Sequence, residues 1–173
     1  MKFIRPLLIT ALAILLITAM TSCAILDLVL SGDKEYRYQE LSLTMDSTFA
    51  EMELEEENRT TYVSVSGTGV IIIKETFESM VEAGVEDPAA ITLEEYRDAF
   101  NEANGYNGTN ETIDGLTAFT YTDTTDGTDY KFLVCIYQSE TAFWSVQFMA
   151  PTTDYDKNEA DFIKWANTVS FDD

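Results

Sequence analysis

Histidine is missing from all 173 residues, and that one absence removes a large share of enzyme chemistry. Ser-His-Asp and Cys-His nucleophile systems need an imidazole to move the proton, and His-bearing zinc or iron sites need one as a ligand. Positive charge is scarce too. Ten Lys+Arg stand against 31 Asp+Glu, a formal net charge of −21 at pH 7. Such a chain repels phosphate backbones and anionic headgroups, which argues against a nucleic acid partner. There are three prolines and two cysteines, and the cysteines lie at positions 23 and 135, far apart in the sequence. No Gly-rich phosphate loop is present; Gly67-Thr68-Gly69 reads as a hairpin turn. What remains is the material of a folded domain. The chain is 46% hydrophobic and has 2 Trp, 9 Tyr and 10 Phe, a content that excludes global disorder.

The N-terminus is organised differently from the rest. Lys2 and Arg5 come first, residues 6–20 carry no charge, and the small Thr21 and Ser22 close the run. That order is the layout of an export signal. The run is shorter than the ~20 residues a spanning helix needs, so a permanent membrane span is the lesser reading. A buried core helix is a third, disfavoured by the two terminal positive charges. Met20-Thr21-Ser22-Cys23 resembles the lipobox of bacterial lipoproteins, with Ser22 and Cys23 in its last two places and Met20 where Leu is usual. The resemblance implies that residues 1–22 are a signal peptide. Cys23 then becomes the first mature residue, with a diacylglyceryl group on its sulfur and the protein on the extracytoplasmic face of the cell membrane. Two acyl chains anchor stably where one is marginal, since each buried CH₂ contributes about 0.8 kcal/mol. The alternative is that Cys23 is an ordinary buried cysteine. Removal of residues 1–22 would leave 8 basic against 31 acidic residues, a net charge of −23.

Residues 23–35 read as a lipidated tether and 36–173 as a single domain, long enough to bury its own core. Within it, "LSLTM" (41–45), "FAEMEL" (49–54), "TYVSVSG" (61–67) and "GVIIIKETF" (69–77) predict strands, with "EEENRT" (55–60) as a charged turn. Thr92 with Glu95 three residues on predicts a capping box, each side chain satisfying an orphan backbone N–H. Leu93, Tyr96, Phe100 and Ala103 then recur at helical spacing until Asn104-Gly105 supplies the stop. "LTAFTYTD" (116–123), "DYKFLVCIYQ" (129–138) and "ETAFWSVQFMAP" (140–151) form a meander around a turn at "TTDGT". A final amphipathic helix runs from Asp154 toward Phe171, with Tyr155, Phe162, Ala166 and Val169 on one stripe. The predicted class is α+β, an antiparallel sheet covered by helices in an α/β/α sandwich.

The strand pair before "TLEEYRDAFNEANG", the "DGLTAFTYT" strand, and "TAFWSVQFMAPTTDYDKNEADFIKWANTVSF" resemble the Mog1/PsbP-like fold over about residues 36–171. The matching positions are of core type. The resemblance therefore implies a fold and a class of role, since well-known members act by binding proteins, and no site residue carries over.

Candidate chemistry is sparse. Asp123, Asp126 and Asp129 surround one hairpin tip, and carboxylates with carbonyls are calcium ligands. Their spacing is not that of an EF-hand, and Asp-Gly is a strong hairpin signal, so the turn is the preferred reading. Glu53, Glu55, Glu56 and Glu57 read as a charged edge that discourages strand pairing. Cys135 lies in an alternating apolar strand, where it serves as a small hydrophobe and no cation activates it. Trp144 and Trp165 fall on core-facing patterns. No cofactor is expected. The functional expectation is a non-catalytic binding or assembly module of the bacterial cell envelope, with a membrane attachment through Cys23 and an envelope protein or peptide as partner. The alternative is an Asp/Glu-based hydrolase or a Ca-dependent surface protein.

Overall fold

Alternating apolar residues become two antiparallel sheets in the computed structural model, which describes residues 32–52 and 58–172. The first half runs β1 (Asp33–Tyr38), β2 (Leu41–Asp46), β3 (Ala50–Met52), β4 (Arg59–Val63) and β5 (Gly69–Thr76). A short helix α1 (Phe77–Glu82), a 3-10 turn (Pro88–Ala90) and α2 (Leu93–Asn104) follow. The second half is β6 (Thr109–Ile113), β7 (Leu116–Thr125), β8 (Thr128–Gln138), β9 (Ala142–Pro151), α3 (Tyr155–Ala166) and β10 (Ser170–Phe171). Seven strands make one sheet in the order β3-β4-β5-β9-β8-β7-β6, and β1-β2-β10 make a second.

The larger sheet is buried on both faces at β9, which is why apolar residues fall on both faces of that strand. All nine residues from Ala142 to Ala150 are buried. Trp144, Val146, Phe148 and Ala150 face α3 and the small sheet, packing with Leu41, Leu43, Tyr155 and Phe162. Phe143 and Met149 face the other way, with Met80 of α1, Tyr96 of α2, and Phe119, Tyr121 and Phe132 of the hairpin. Helices thus lie on both faces, the predicted α/β/α arrangement, with the small sheet sharing one face with α3.

Local signals behave as their chemistry requires. The capping box closes α2 at both donors: Glu95 N–H donates to Thr92 Oγ1 at 3.2 Å, and Thr92 N–H donates to Glu95 Oε2 at 2.9 Å. Gly105 ends the helix in the left-handed region, at φ 67°. Asp126 (φ 51°) and Gly127 (φ 79°) make the two-residue β7–β8 turn, whose positive dihedrals match the strand twist.

Other boundaries differ from the sequence reading. Asp33, Lys34 and Glu35 belong to β1, paired with Asp46, Met45 and Thr44, so strand structure begins inside the stretch read as tether. Arg59 and Thr60 open β4 and do not continue the charged turn, and β4 ends at Val63, leaving Val65 at an exposed tip. Of "FAEMEL", Ala50–Met52 is strand, and Glu53 and Leu54 lie outside the described residues. The last helix stops at Ala166; Ser170 and Phe171 pair with Ser42 and Leu41 as β10. Just before β10 begins, Thr44 N–H donates to Thr168 Oγ1 at 2.9 Å, so a side chain extends the ladder. β6 and α1 carry no clear pattern in the sequence. "TNETI" is a polar, mostly exposed edge strand without alternation, and six-residue α1 is held by the Thr76 cap and its neighbours.

Candidate functional site

Among the described residues, those singled out from the sequence do not assemble into one site. Cys23 and Glu53, Glu55, Glu56 and Glu57 lie outside the described residues. Asp123 sits on β7, Asp126 in the turn and Asp129 on β8. Two of the three carboxylates are engaged locally by Thr124. Its N–H donates to Asp123 Oδ1 at 2.8 Å and its hydroxyl to Asp129 Oδ1 at 2.5 Å. Among the described residues no three His, Cys, Asp or Glu side chains group as a metal site. Cys135 is fully buried, and burial pushes its thiol up to about 12, away from the reactive thiolate. Trp144 and Trp165 are core residues, and Trp144 Nε1 donates to Ser139 Oγ at 3.2 Å. Gly67, at φ 82°, forms the β4–β5 turn.

A different place stands out, at the edge of the larger sheet. β7 is ten residues long and β6 only five, so the β6–β7 ladder runs from Ile113↔Leu116 to Thr109↔Thr120 and stops. From Tyr121 to Thr125, β7 has β8 on one side and, among the described residues, no strand on the other. The chain arrives from α2 through Asn107, at φ 51°, and Gly108. Asn101 pins that entry from both sides: Gly108 N–H donates to its Oδ1 at 2.9 Å, and its Nδ2 donates to Gly108 O at 3.0 Å. Gly108 is required by contact. A Cβ there would lie 2.5 Å from Phe119 Cδ2 and 2.9 Å from Thr120 O.

Beside this open edge lies a depression of about 430 Å³, lined by Tyr106, Asn107, Thr109, Thr120, Tyr121, Thr122 and Lys131. One wall is a stack of three rings. Tyr106 lies on Tyr121 with centroids 4.2 Å apart, and Tyr121 lies on Phe132 at 4.4 Å. Tyr121 Oη donates to the buried Gln147 Oε1 at 3.2 Å. Burial raises both phenols above the usual tyrosine range, against the pull of Arg59, so they stay protonated donors. The other wall is polar. Lys131 Nζ stands 4.1 Å from the Tyr155 ring centroid, and Thr120 donates to Glu111 Oε1 at 2.9 Å. The groups on offer are backbone amides and carbonyls, hydroxyls, aromatic faces and one ammonium, the chemistry of a binding surface.

Part of this was within reach of the sequence. The two-residue turn at Asp126-Gly127 fixes the hairpin register and so sets Tyr121 opposite Phe132. Tyr106 and the early end of β6 had no such signal.

No family model and no curated protein matches the chain. Solved structures do. A protein from Bacteroides thetaiotaomicron VPI-5482 is similar at 14% identity with a TM-score of 0.56, over 81% of this chain and 48% of that one. The chain therefore spans about half the length of that protein. The solution structure of cyanobacterial PsbP (CyanoP) from Synechocystis sp. PCC 6803 is similar at 10% identity with a TM-score of 0.53, over 88% of this chain and 99% of that one. A Mog1 variant is similar at 11% identity with a TM-score of 0.49, over 76% of this chain and 84% of that one. At such identities the likeness is one of architecture: the chain has the α+β, Mog1/PsbP-like fold.

Proposed function

We propose that the chain is an exported, lipid-anchored, non-catalytic binding or assembly module of a bacterial cell envelope, held at the extracytoplasmic face by acyl chains on Cys23. The observation that carries the binding reading is the open edge of β7 with its aromatic-walled depression. Among the described residues, Cys135 and Trp144 are spent on packing at the centre of the core. The resemblance to Mog1/PsbP-like proteins, whose well-known members bind proteins, supports the same reading. Anchoring is supported by Ser22-Cys23 at the end of an uncharged run behind Lys2 and Arg5. Cys23 precedes Asp33 by ten residues, which span at most about 35 Å when extended. The domain would then work close to the bilayer, while its acidic surface keeps it off anionic headgroups.

Two measurements test the proposal. Cys23→Ala should abolish incorporation of a fatty-acid probe in a bacterial host; equal labelling of the variant refutes the anchor. A photo-crosslinking residue at exposed Thr109, beside the depression, should capture a discrete envelope protein in intact cells, and one at exposed Val65 should not. Identical products at both positions, or none at Thr109, refute the binding site.

A further inference from the structure

The unpaired stretch of β7 is a strand edge with outward-facing hydrogen-bonding groups. In a hairpin closed by a two-residue turn, the flanking pair Thr125 and Thr128 exchange both backbone hydrogen bonds, and bonded pairs recur at every second residue. Asp123 and Tyr121 therefore spend their backbone groups on β8, and those of Thr122 and Thr124 face away from it. The neighbouring strand agrees. Asp129, opposite Thr124, turns its carbonyl away from β7, where it accepts from Thr152 N–H at 2.8 Å. Thr124 N–H is covered by Asp123 Oδ1, so the edge offers Thr122 N–H and C=O and Thr124 C=O.

One other rim is guarded by charged side chains. β1, at the rim of the small sheet, carries Asp33, Lys34, Glu35 and Arg37. Its Arg37 pairs with Glu35 and Asp172, and Lys164 reaches Asp33 at 2.8 Å. The β7 edge has instead threonines, good strand formers, and it opens onto the depression in line with β6.

We propose that this edge binds a basic, extended peptide, added as a strand to β7 in continuation of β6. The inference rests on the binding-module reading and names its partner's chemistry. Alternate side chains of the added strand meet the Tyr106–Tyr121 wall on one face and Thr122 and Lys131 on the other. Charge selects the occupant. Asp123, Asp126 and Asp129 surround the open end, Lys131 already lies on the Tyr155 ring, and the whole chain carries −21. A second copy is disfavoured by the same charge, since antiparallel pairing centred on Asp123 sets that carboxylate against itself.

The test uses the full-length chain in detergent and fluorescence anisotropy at physiological ionic strength. The probe is a labelled heptapeptide alternating lysine and valine, Lys at both ends. It should bind saturably. The same peptide N-methylated on every backbone nitrogen, which leaves no donor on either strand edge, should bind at least tenfold more weakly. A version with glutamate for lysine should not bind. Thr122→Pro removes an N–H that β8 does not use, so it should weaken binding tenfold or more while melting changes little. Should that variant fail to fold, the N-methylated peptide on unaltered protein decides. Equal binding of the parent and N-methylated peptides, or no binding of the parent, overturns the proposal. Self-association lost in Thr122→Pro also overturns it, in favour of a second copy. A discrete crosslink at Thr109 without peptide binding keeps the binding module and rejects strand addition.

Discussion

Gly108→Ala probes the contact that ends the β6–β7 ladder and so shapes the open edge. The added methyl would fall 2.5 Å from Phe119 Cδ2 and 2.9 Å from Thr120 O. Neither neighbour yields cheaply. Thr120 is ladder backbone paired with Thr109, and the fully buried Phe119 ring has Phe100 at 6.4 Å and Tyr106 at 6.0 Å. Residue 108 itself must move, and overpacking of this kind costs about 1–3 kcal/mol. Movement also stretches the two hydrogen bonds to Asn101, each worth about 0.5–1.5 kcal/mol net. The expected destabilisation is about 2–4 kcal/mol, read by urea unfolding followed by circular dichroism, with an unchanged m-value. For a domain of this size that lowers Tm by roughly 6–12 °C. Gly32→Ala is the control, because a Cβ there meets nothing within 4 Å, and it should stay within about 0.5 kcal/mol of the parent. Asn101→Ala acts on the same contact, so the double variant should fall short of additivity by at least about 0.5 kcal/mol. A Gly108→Ala protein as stable as the parent, or full additivity with Asn101→Ala, would refute the pinning of β6.

Leu43→Ala, at a fully buried site between the two sheets, should cost about 2–5 kcal/mol in urea unfolding; a loss under about 1 kcal/mol would mean the small sheet is not packed as described. Cys135, buried with its thiol pushed up to about 12, should react with a thiol reagent at pH 8 only as fast as the protein unfolds. Fast native modification would revive it as a nucleophile. The Thr92 cap holds the Glu95 carboxyl below its usual range. Its stabilisation is therefore present above the unfolded-state value and lost as pH falls through the folded one. Glu95→Gln should remove that acid-side loss, and Thr92→Ala, which keeps the backbone N–H that Glu95 accepts, should only reduce it. A variant with the parent's full pH dependence would contradict the cap. Ca²⁺ should leave Tm within a degree or two of Mg²⁺ at equal ionic strength, since Asp123 and Asp129 already accept from Thr124. A calcium-selective rise of several degrees, lost in Asp126→Asn, would make the hairpin tip a metal site.

The sequence by itself determined what depends on neighbours along the chain. Leu41, Leu43 and Met45 alternate because one face of β2 is buried, and all three are fully buried. Thr92 and Glu95 start α2, Gly105 ends it, and Asp126-Gly127 sets the long hairpin, each through chemistry contained in a few residues. Tertiary structure decided what depends on partners far away. β5 lies beside β9, more than sixty positions on, and nothing local in "GVIIIKETF" names that neighbour. Ser170-Phe171 continue a helical stripe by pattern, yet they become strand because β2 offers an edge and Thr168 extends it. "TNETI" pairs because β7 supplies the template, Ile113 being its one apolar residue, packed against the core. The candidate site belongs to this second class. It exists because β6 stops five residues before β7 does, and that stop is set by Asn101 and Phe119 meeting Gly108, a contact between three separate elements of the fold.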